Sequence, residues 1–293
     1  MTSKSLQIPH NIVAIGEHVN RLVDNLMYIE FRHQSLRRSD QKPLPTNPQT
    51  IHDLLQRPTA MGQPHQDMLG WPLAQIHTRA VMSLEEHAQL RICLPSLTAI
   101  NLPPSYKFWF YVDLVHLIEW AKTLDFFRSL NLADQRELIC FSAFQIFNVT
   151  QSYFSYSKGS NRLTFPDGKF SVWSPREAGQ DIIGPMIRLQ MDITEYLLLK
   201  ALVVCNPSCE TISEGAQTIL MKQREKLSKV LFEHCMKTSG RQRGPSRFGE
   251  IIALESIMLQ KALKSKHLQA LLVSLKLRPT RVVLWDEVSG VNH

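Results

Sequence analysis

Apolar residues recur at helical spacing along most of this chain. Between residues 11 and 38, Ile12, Ile15, Val19, Leu22, Leu26 and Ile29 follow one another at alternating steps of three and four. That spacing draws one apolar seam along a helix. The seam meets His33 and resumes at Leu36. A coiled coil wants charges beside its seam, but here Gly16 and Val23 sit at the flanking positions. Val23 widens the stripe into a face suited to docking on a larger domain.

A second helix is predicted from Ser105, a plausible N-cap after Pro103-Pro104, to about Thr123. It is apolar on nearly every side. Its polar interior positions, Asp113, His116, Glu119 and Lys122, each lie three apart and form a slowly drifting stripe. A helix this apolar must be buried on nearly every side, which requires helices packed above and below it. The pattern therefore predicts an all-α domain built in layers.

The following elements agree. Asn131 with Asp134 reads as a cap for a helix that meets no Gly or Pro from Ala133 to Lys158. At 1.5 Å per residue that helix is roughly 35–40 Å long. Gly159 ends it. Leu163-Thr-Phe165, then Pro166-Asp-Gly168, then Lys169 to Trp173 is a hairpin signal, because proline presets the turn and Asp-Gly accepts its geometry. Asp192-Ile-Thr-Glu195 opens a further helix as a capping box, and Asn206-Pro207 stops it. Residues 211–238 read as a basic amphipathic helix, Gly240 to Pro245 as a polar turn, and 246–277 as a long helix that Ser246 caps and Pro279 follows. Arg281 to Val288 forms a last short segment.

Residues 39–79 are loop-rich, with prolines at 43, 45, 48, 58, 64 and 72. Inside them, Ile51-His-Asp-Leu54-Leu55 resembles the φxxLL helices, φ being any apolar residue, that dock into apolar grooves. Residues 81–92 read as a short helix.

With 293 residues, 44% of them hydrophobic, the chain has ample material for a sizeable core. No run of about 18 apolar residues predicts a membrane span, and the Met1 end has no apolar region of secretory type. Five cysteines, an odd number, suggest reduced thiols. Cys205 and Cys209 are the close pair, and no second pair stands at zinc-ligand spacing, so neither metal nor cofactor is expected. The net charge of +7 lies late in the chain, where residues 222–293 carry 14 Lys+Arg against 6 Asp+Glu. These charges are spaced along amphipathic helices, as on a solvated face, rather than clustered with aromatics as in a nucleic-acid patch.

No glycine-rich phosphate loop, nucleophile elbow or His-Glu-x-x-His motif is present, so an enzyme is not expected. His116 reads as a hydrogen-bonded core histidine. A binding arrangement is the stronger signal. Lys122 closes the buried helix, and Leu284-Trp-Asp-Glu287-Val288 is a short apolar segment carrying carboxylates. A lysine and a glutamate across an apolar groove can hold a short helix by its two ends. The lysine meets C-terminal carbonyls and the glutamate N-terminal amides. The alternative is an ordinary helix-end lysine and an ordinary amphipathic tail.

At these residues the chain resembles a nuclear receptor ligand-binding domain. Glu119-Trp-Ala-Lys122, Phe127-x-x-Leu130, Asp134-Gln135 and Leu138-Ile139 are similar to the signature across that family's third to fifth helices. Glu195-Tyr-Leu-Leu-Leu-Lys200-Ala and Arg247-Phe248 resemble later family motifs. Leu284-Trp-Asp-Glu287-Val resembles the terminal activation helix. Tyr28-Ile-Glu30, Leu36-Arg-Arg-Ser39 and the Thr-Phe-Pro-Asp-Gly hairpin resemble the expanded nematode group of these receptors.

The resemblance implies a three-layer helical sandwich with one small β-hairpin. It is divided as an N-terminal helix and hinge-like extension over 1–38, a proline-rich linker over 39–79 and the ligand-binding domain over 80–293. It implies a nuclear transcription regulator with a coregulator helix peptide held between Lys122 and Glu287, and a structural ion pair between Glu195 and Arg247. It also implies a lipophilic small molecule in a pocket near Tyr106, Trp109, Phe110, Phe144, Phe147 and Phe154. The long helix 246–277 would carry the surface for a homodimer, or for a heterodimer with another nuclear receptor. Phe154 stands where acid-binding relatives place an arginine, and Cys140 where many members place a second basic clamp residue. Ser289-Gly290 replaces a second apolar position of the activation helix, which predicts weaker docking. Five scattered cysteines cannot supply the family's zinc module with its eight cysteine ligands, so direct DNA binding is not expected of this chain as given. The other form of the same reading is a ligand-independent dimerisation module whose pocket is filled by its own aromatics.

Overall fold

The computed structural model describes residues 10–38, 49–59, 61, 109–166, 180–275 and 282–291. Nine helices lie within these residues. They are α1 (His10–Arg38), α2 (Ile51–Gln56), α3 (Trp109–Ala121), α4 (Asp125–Arg128), α5 (Leu132–Ser157), α6 (Gln180–Leu189), α7 (Ile193–Val204), α8 (Glu214–Ser274) and α9 (Val283–Ser289). The expected cap at Ser105, the helix over 81–92 and the hairpin beyond Pro166 lie outside the described residues.

The helices stack in three layers. α5 and α7 form the middle, packed against α1 and α3 on one side and α8 on the other. α7 is buried from Glu195 through Val204, as expected of a helix covered on both faces. α3 is almost as enclosed although it belongs to an outer layer. α1 flanks it, α5 lies beneath it and α2 covers its C-terminal end.

Local signals set several boundaries. The Asn131 side chain accepts from the Asp134 amide at 2.9 Å and starts α5. Asp134 then accepts from the Ser213 amide at 2.8 Å and from its hydroxyl at 2.7 Å, fixing the start of α8. Gln135 donates to the carbonyls of Phe127 and Leu130, both at 3.0 Å, which ties α5 to the loop before it. Asp192 and Glu195 form the reciprocal capping box of α7.

The polar stripe of α3 is buried with the rest of that helix, Asp113, His116, Glu119 and Lys122 alike. Buried polar groups need partners: Arg37 of α1 meets Asp113, and the Leu54 carbonyl of α2 meets Lys122, which also pairs with Glu119. Within the loop-rich segment, Ile51 to Leu55 lie in a short helix, α2, whose Thr50 and Asp53 form a capping box. One expectation needs correction. The turn expected at Gly240 to Pro245 is a sharp kink within α8, where Gly240 alone leaves helical geometry at φ 73° and ψ 173°. The two arms then cross closely. A Cβ on Gly244 would stand 2.9 Å from the Met236 Cα.

α6 and α4 are additional to the sequence reading. Ile182, Ile183, Met186 and Leu189 are buried on one face of α6, but Gly184 and Pro185 in its middle mask that periodicity. α1 is anchored in the core through polar contacts as well as Leu26 and Leu36. Glu30 meets the Lys200 ammonium at 2.7 Å and the Tyr196 hydroxyl at 2.8 Å. Arg37, fully buried, donates to both oxygens of Asp113 at 2.7 and 3.0 Å and to Gln151 at 2.7 Å. No helix among the described residues is long and apolar enough to cross a membrane.

Candidate functional site: a groove closed by two charges

The groove is formed by the C-terminal end of α3, the first half of α5 and the short helix α9. Leu284 and Val288 are fully buried and Trp285 nearly so. α9 therefore sits firmly against α5 and α8. Ser289, at the position where a second apolar residue is expected, is buried, and Gly290 closes the helix in a left-handed cap. The Cys140 thiol lies 3.6 Å from the Glu287 carbonyl, and Lys266 of α8 donates to the Cys140 carbonyl at 2.8 Å. These contacts tie α9 and α8 to α5.

Lys122 and Glu287 are thereby placed on opposite sides of the groove, and α2 lies between them. The Lys122 ammonium donates to the Leu54 carbonyl at 2.7 Å and to Glu119 at 3.0 Å. Glu287 accepts from the Ile51 amide at 2.7 Å. One charge satisfies an orphan carbonyl near the C-terminus of α2, and the other an orphan amide at its N-terminus. Ile51, Leu54 and Leu55 are buried beneath it. Arg136, 3.7 Å from the other oxygen of Glu287, adds a cation at that end.

The expected pocket residues lie around the opposite half of α3. Trp109 stacks on Phe165 with centroids 5.4 Å apart. Phe110 meets Phe144 at 5.0 Å, Phe147 at 5.1 Å and Trp285 of α9 at 4.7 Å. Phe154 lies under the Arg37 guanidinium at 5.5 Å. That arginine comes from α1 and is committed to Asp113, a contact no local pattern could signal. Tyr106 lies outside the described residues.

Arg247 grips both oxygens of Glu195, at 2.5 and 2.7 Å, and donates to the Leu189 carbonyl at 2.7 Å. This pins the second arm of α8 to the start of α7. Beside it His234 meets Asp192 at 2.7 Å, and this bond raises the imidazole above its usual range against the opposing effect of burial. Asp192, Glu195 and His234 bring ligand atoms within 4.8 Å of one another, but Arg247 already binds both oxygens of Glu195 and His234 is hydrogen-bonded to Asp192. The group is an ion-pair lock.

A second polar cluster joins α1 to α7. Burial and the adjacent Lys200 lower His33 to about 4. Lys200 lies 2.9 Å from its Nδ1, so that nitrogen accepts and the ring is neutral, despite Glu30 at 3.6 Å. Burial opposes the charge on Glu30, but Lys200, His33 and Gln34 together outweigh it and hold the carboxyl well below its ordinary value. Burial also pushes the thiols up, Cys140 to about 11 and Cys205 and Cys235 to about 12. Neutral thiols are poor nucleophiles and poor metal ligands.

Comparison with known proteins identifies the class. Residues 95–269 match the family described as the ligand-binding domain of nuclear hormone receptor. The chain belongs to that family, which is one of receptors rather than enzymes. Among its relatives, nuclear hormone receptor family member nhr-136 of Caenorhabditis elegans is 31% identical over 219 residues, covering 69% of this chain and 50% of that protein. Member nhr-60 of the same organism is 28% identical over 288 residues, covering 92% and 61% respectively. Member nhr-10, also of that organism, is 28% identical over 198 residues, covering 63% and 50%. The chain thus spans about half to three-fifths of the length of these curated relatives.

Proposed function

We propose that this chain is the regulatory part of a nuclear transcription regulator, and that it delivers its output by holding a coregulator helix between Lys122 and Glu287. The observation that carries this reading is the helix already lying there. α2 has a φxxLL pattern, its three apolar residues are buried in the groove, and each clamp residue takes one of its terminal backbone groups. A partner helix of the same pattern would meet the same donors and acceptors. The test is binding of a labelled φxxφφ helix peptide to the purified chain. Measured in a Leu54→Ala/Leu55→Ala background, where the chain's own α2 no longer draws on the same two charges, Lys122→Ala and Glu287→Ala should each weaken binding about tenfold while leaving the helical signal intact, since charge-assisted hydrogen bonds contribute roughly 1.5–3 kcal/mol each. Equal binding by that background and both variants would sink the clamp.

The proposal extends to dimerisation. Leu268, Leu271 and Leu275 are exposed at steps of three and four near the end of α8. Such a stripe suits pairing with a second copy or with another receptor of the family. Leu271→Glu should shift the mass measured by light scattering from dimer to monomer.

What fills the centre separates two forms of the reading. A lipophilic ligand there would act by favouring one seating of α9. The ring contacts of Phe110 with Phe144, Phe147 and Trp285 favour the other form, in which the chain's own aromatics hold α9 in place without a ligand. Native mass spectrometry distinguishes them. A lipid retained at stoichiometric occupancy supports the ligand-gated form. A lipid-free chain whose melting temperature is unmoved by added lipid extract supports the self-filled form.

A further inference from the structure

The groove that would receive a coregulator is occupied by the chain's own α2, held at both ends. We propose that α2 is a built-in competitor, so that the chain is autoinhibited and a partner helix binds only when α2 leaves. This rests on the assignment of the groove to coregulator helices.

Four observations carry it. First, the contact is complete: Ile51 and Leu54 are almost wholly removed from solvent, and Leu55 is 8% exposed. Second, both clamp charges are engaged by α2, at 2.7 Å each, so a second helix cannot use them at the same time. Third, α2 is prepared to be a helix outside the groove. Thr50 and Asp53 exchange hydrogen bonds of 3.0 Å in a capping box, which lowers the ordering cost of a segment of only six residues. Fourth, α2 lies between α1 and α3 in one chain, so its local concentration at the groove is set by covalent attachment and not by the concentration of protein. Thr59 reinforces the attachment by donating to the Glu119 carbonyl at 2.8 Å, one turn from Lys122 on α3.

The consequence is quantitative. A partner sees only the fraction of molecules with α2 released, and its apparent affinity falls by that fraction. Removing the α2 anchors should therefore tighten partner binding, because every substituted residue belongs to α2 and none to the walls of the groove. A merely structural role for α2 predicts the reverse, because loosening a supporting segment would damage the groove.

The experiment uses the full chain and a labelled peptide with the sequence of residues 49–58, so the probe is defined. The parent should bind it weakly. Leu54→Ala/Leu55→Ala should bind it about tenfold or more tightly, and adding Lys122→Ala should abolish the gain. Thr50→Ala/Asp53→Ala removes only the capping box. It should give a smaller gain of about fivefold, following the roughly 1 kcal/mol typical of a cap, and it keeps the test valid if the first variant misfolds. Equal, measurable binding by parent and both variants, lost with Lys122→Ala, would overturn autoinhibition and leave the groove assignment standing. No binding by any of them, with folding intact, would overturn the groove assignment and the competitor together.

Discussion

Glu30 and Lys200 stand 2.7 Å apart inside the domain, one on the first helix and one on a helix of the middle layer. The lysine is fully buried, and its ammonium also lies 4.3 Å from the centre of the Trp120 ring on α3. One ion pair thus ties three helices together. It makes α1 part of the folded core, although 70 residues of chain separate α1 from α3.

Removing one partner of such a pair leaves the other charged and unpaired. Lys200→Met should therefore lower unfolding free energy by about 3–5 kcal/mol. Lys200→Met combined with Glu30→Gln should cost less than the single change, because no unpaired charge remains. Urea denaturation of the two variants measures the difference. A double variant no better than the single would mean that the pair acts only through packing.

The two histidine sites make opposite contributions to pH dependence. His33 has a folded value of about 4, below its ordinary value of about 6.5. As pH falls from about 6.5 towards 4 the unfolded chain takes the proton first, so stability declines through that window. His234 is raised by Asp192, so its contribution is fully present below about 6.5 and is lost as pH rises through its folded value. The expected result is that His33→Gln loses less stability than the parent between pH 7 and 5, while His234→Ala shows a weaker decline above pH 7. Parallel pH profiles for all three proteins would contradict both assignments.

Arg247 meets Glu195 through two parallel bonds and reaches back to the Leu189 carbonyl. A lysine cannot reproduce that fork. Arg247→Lys should behave almost as badly as Arg247→Met and lower the melting temperature by several degrees, on the order of 2 kcal/mol or more. The loss should appear first as faster hydrogen exchange around the α8 kink at Gly240. A lysine variant matching the parent would show that charge alone suffices there.

Much of this architecture is legible in sequence because its signals are local. The Asp192–Glu195 box, the Asn131 cap and the seam of α1 each reside within one or two turns, where backbone geometry dictates residue type. The apolar surface of α3 correctly announces burial. Its polar stripe does not name its partners, since Asp113 and Lys122 face groups that arrive from α1 and α2, distant in the chain. Gly184 and Pro185 obscure α6 because both residues usually mark helix ends. Residues 240–245 resemble an ordinary turn, yet a single backbone inversion at Gly240 lets the helix resume at once. The pattern Ile51 to Leu55 is visible as a docking motif. Its destination is not, because only folding brings Glu287 to within a hydrogen bond of Ile51.

The most direct test is hydrogen exchange of the amides of residues 50–56, measured with and without a saturating φxxφφ helix peptide. α2 and a partner helix are competitors for the ground between Lys122 and Glu287. The peptide should therefore abolish protection at Leu54, whose amide is bonded to the Thr50 carbonyl at 3.2 Å, while α3 and α9 keep theirs. Full protection of residues 50–56 with peptide bound would contradict the account, because the partner would then occupy some other surface.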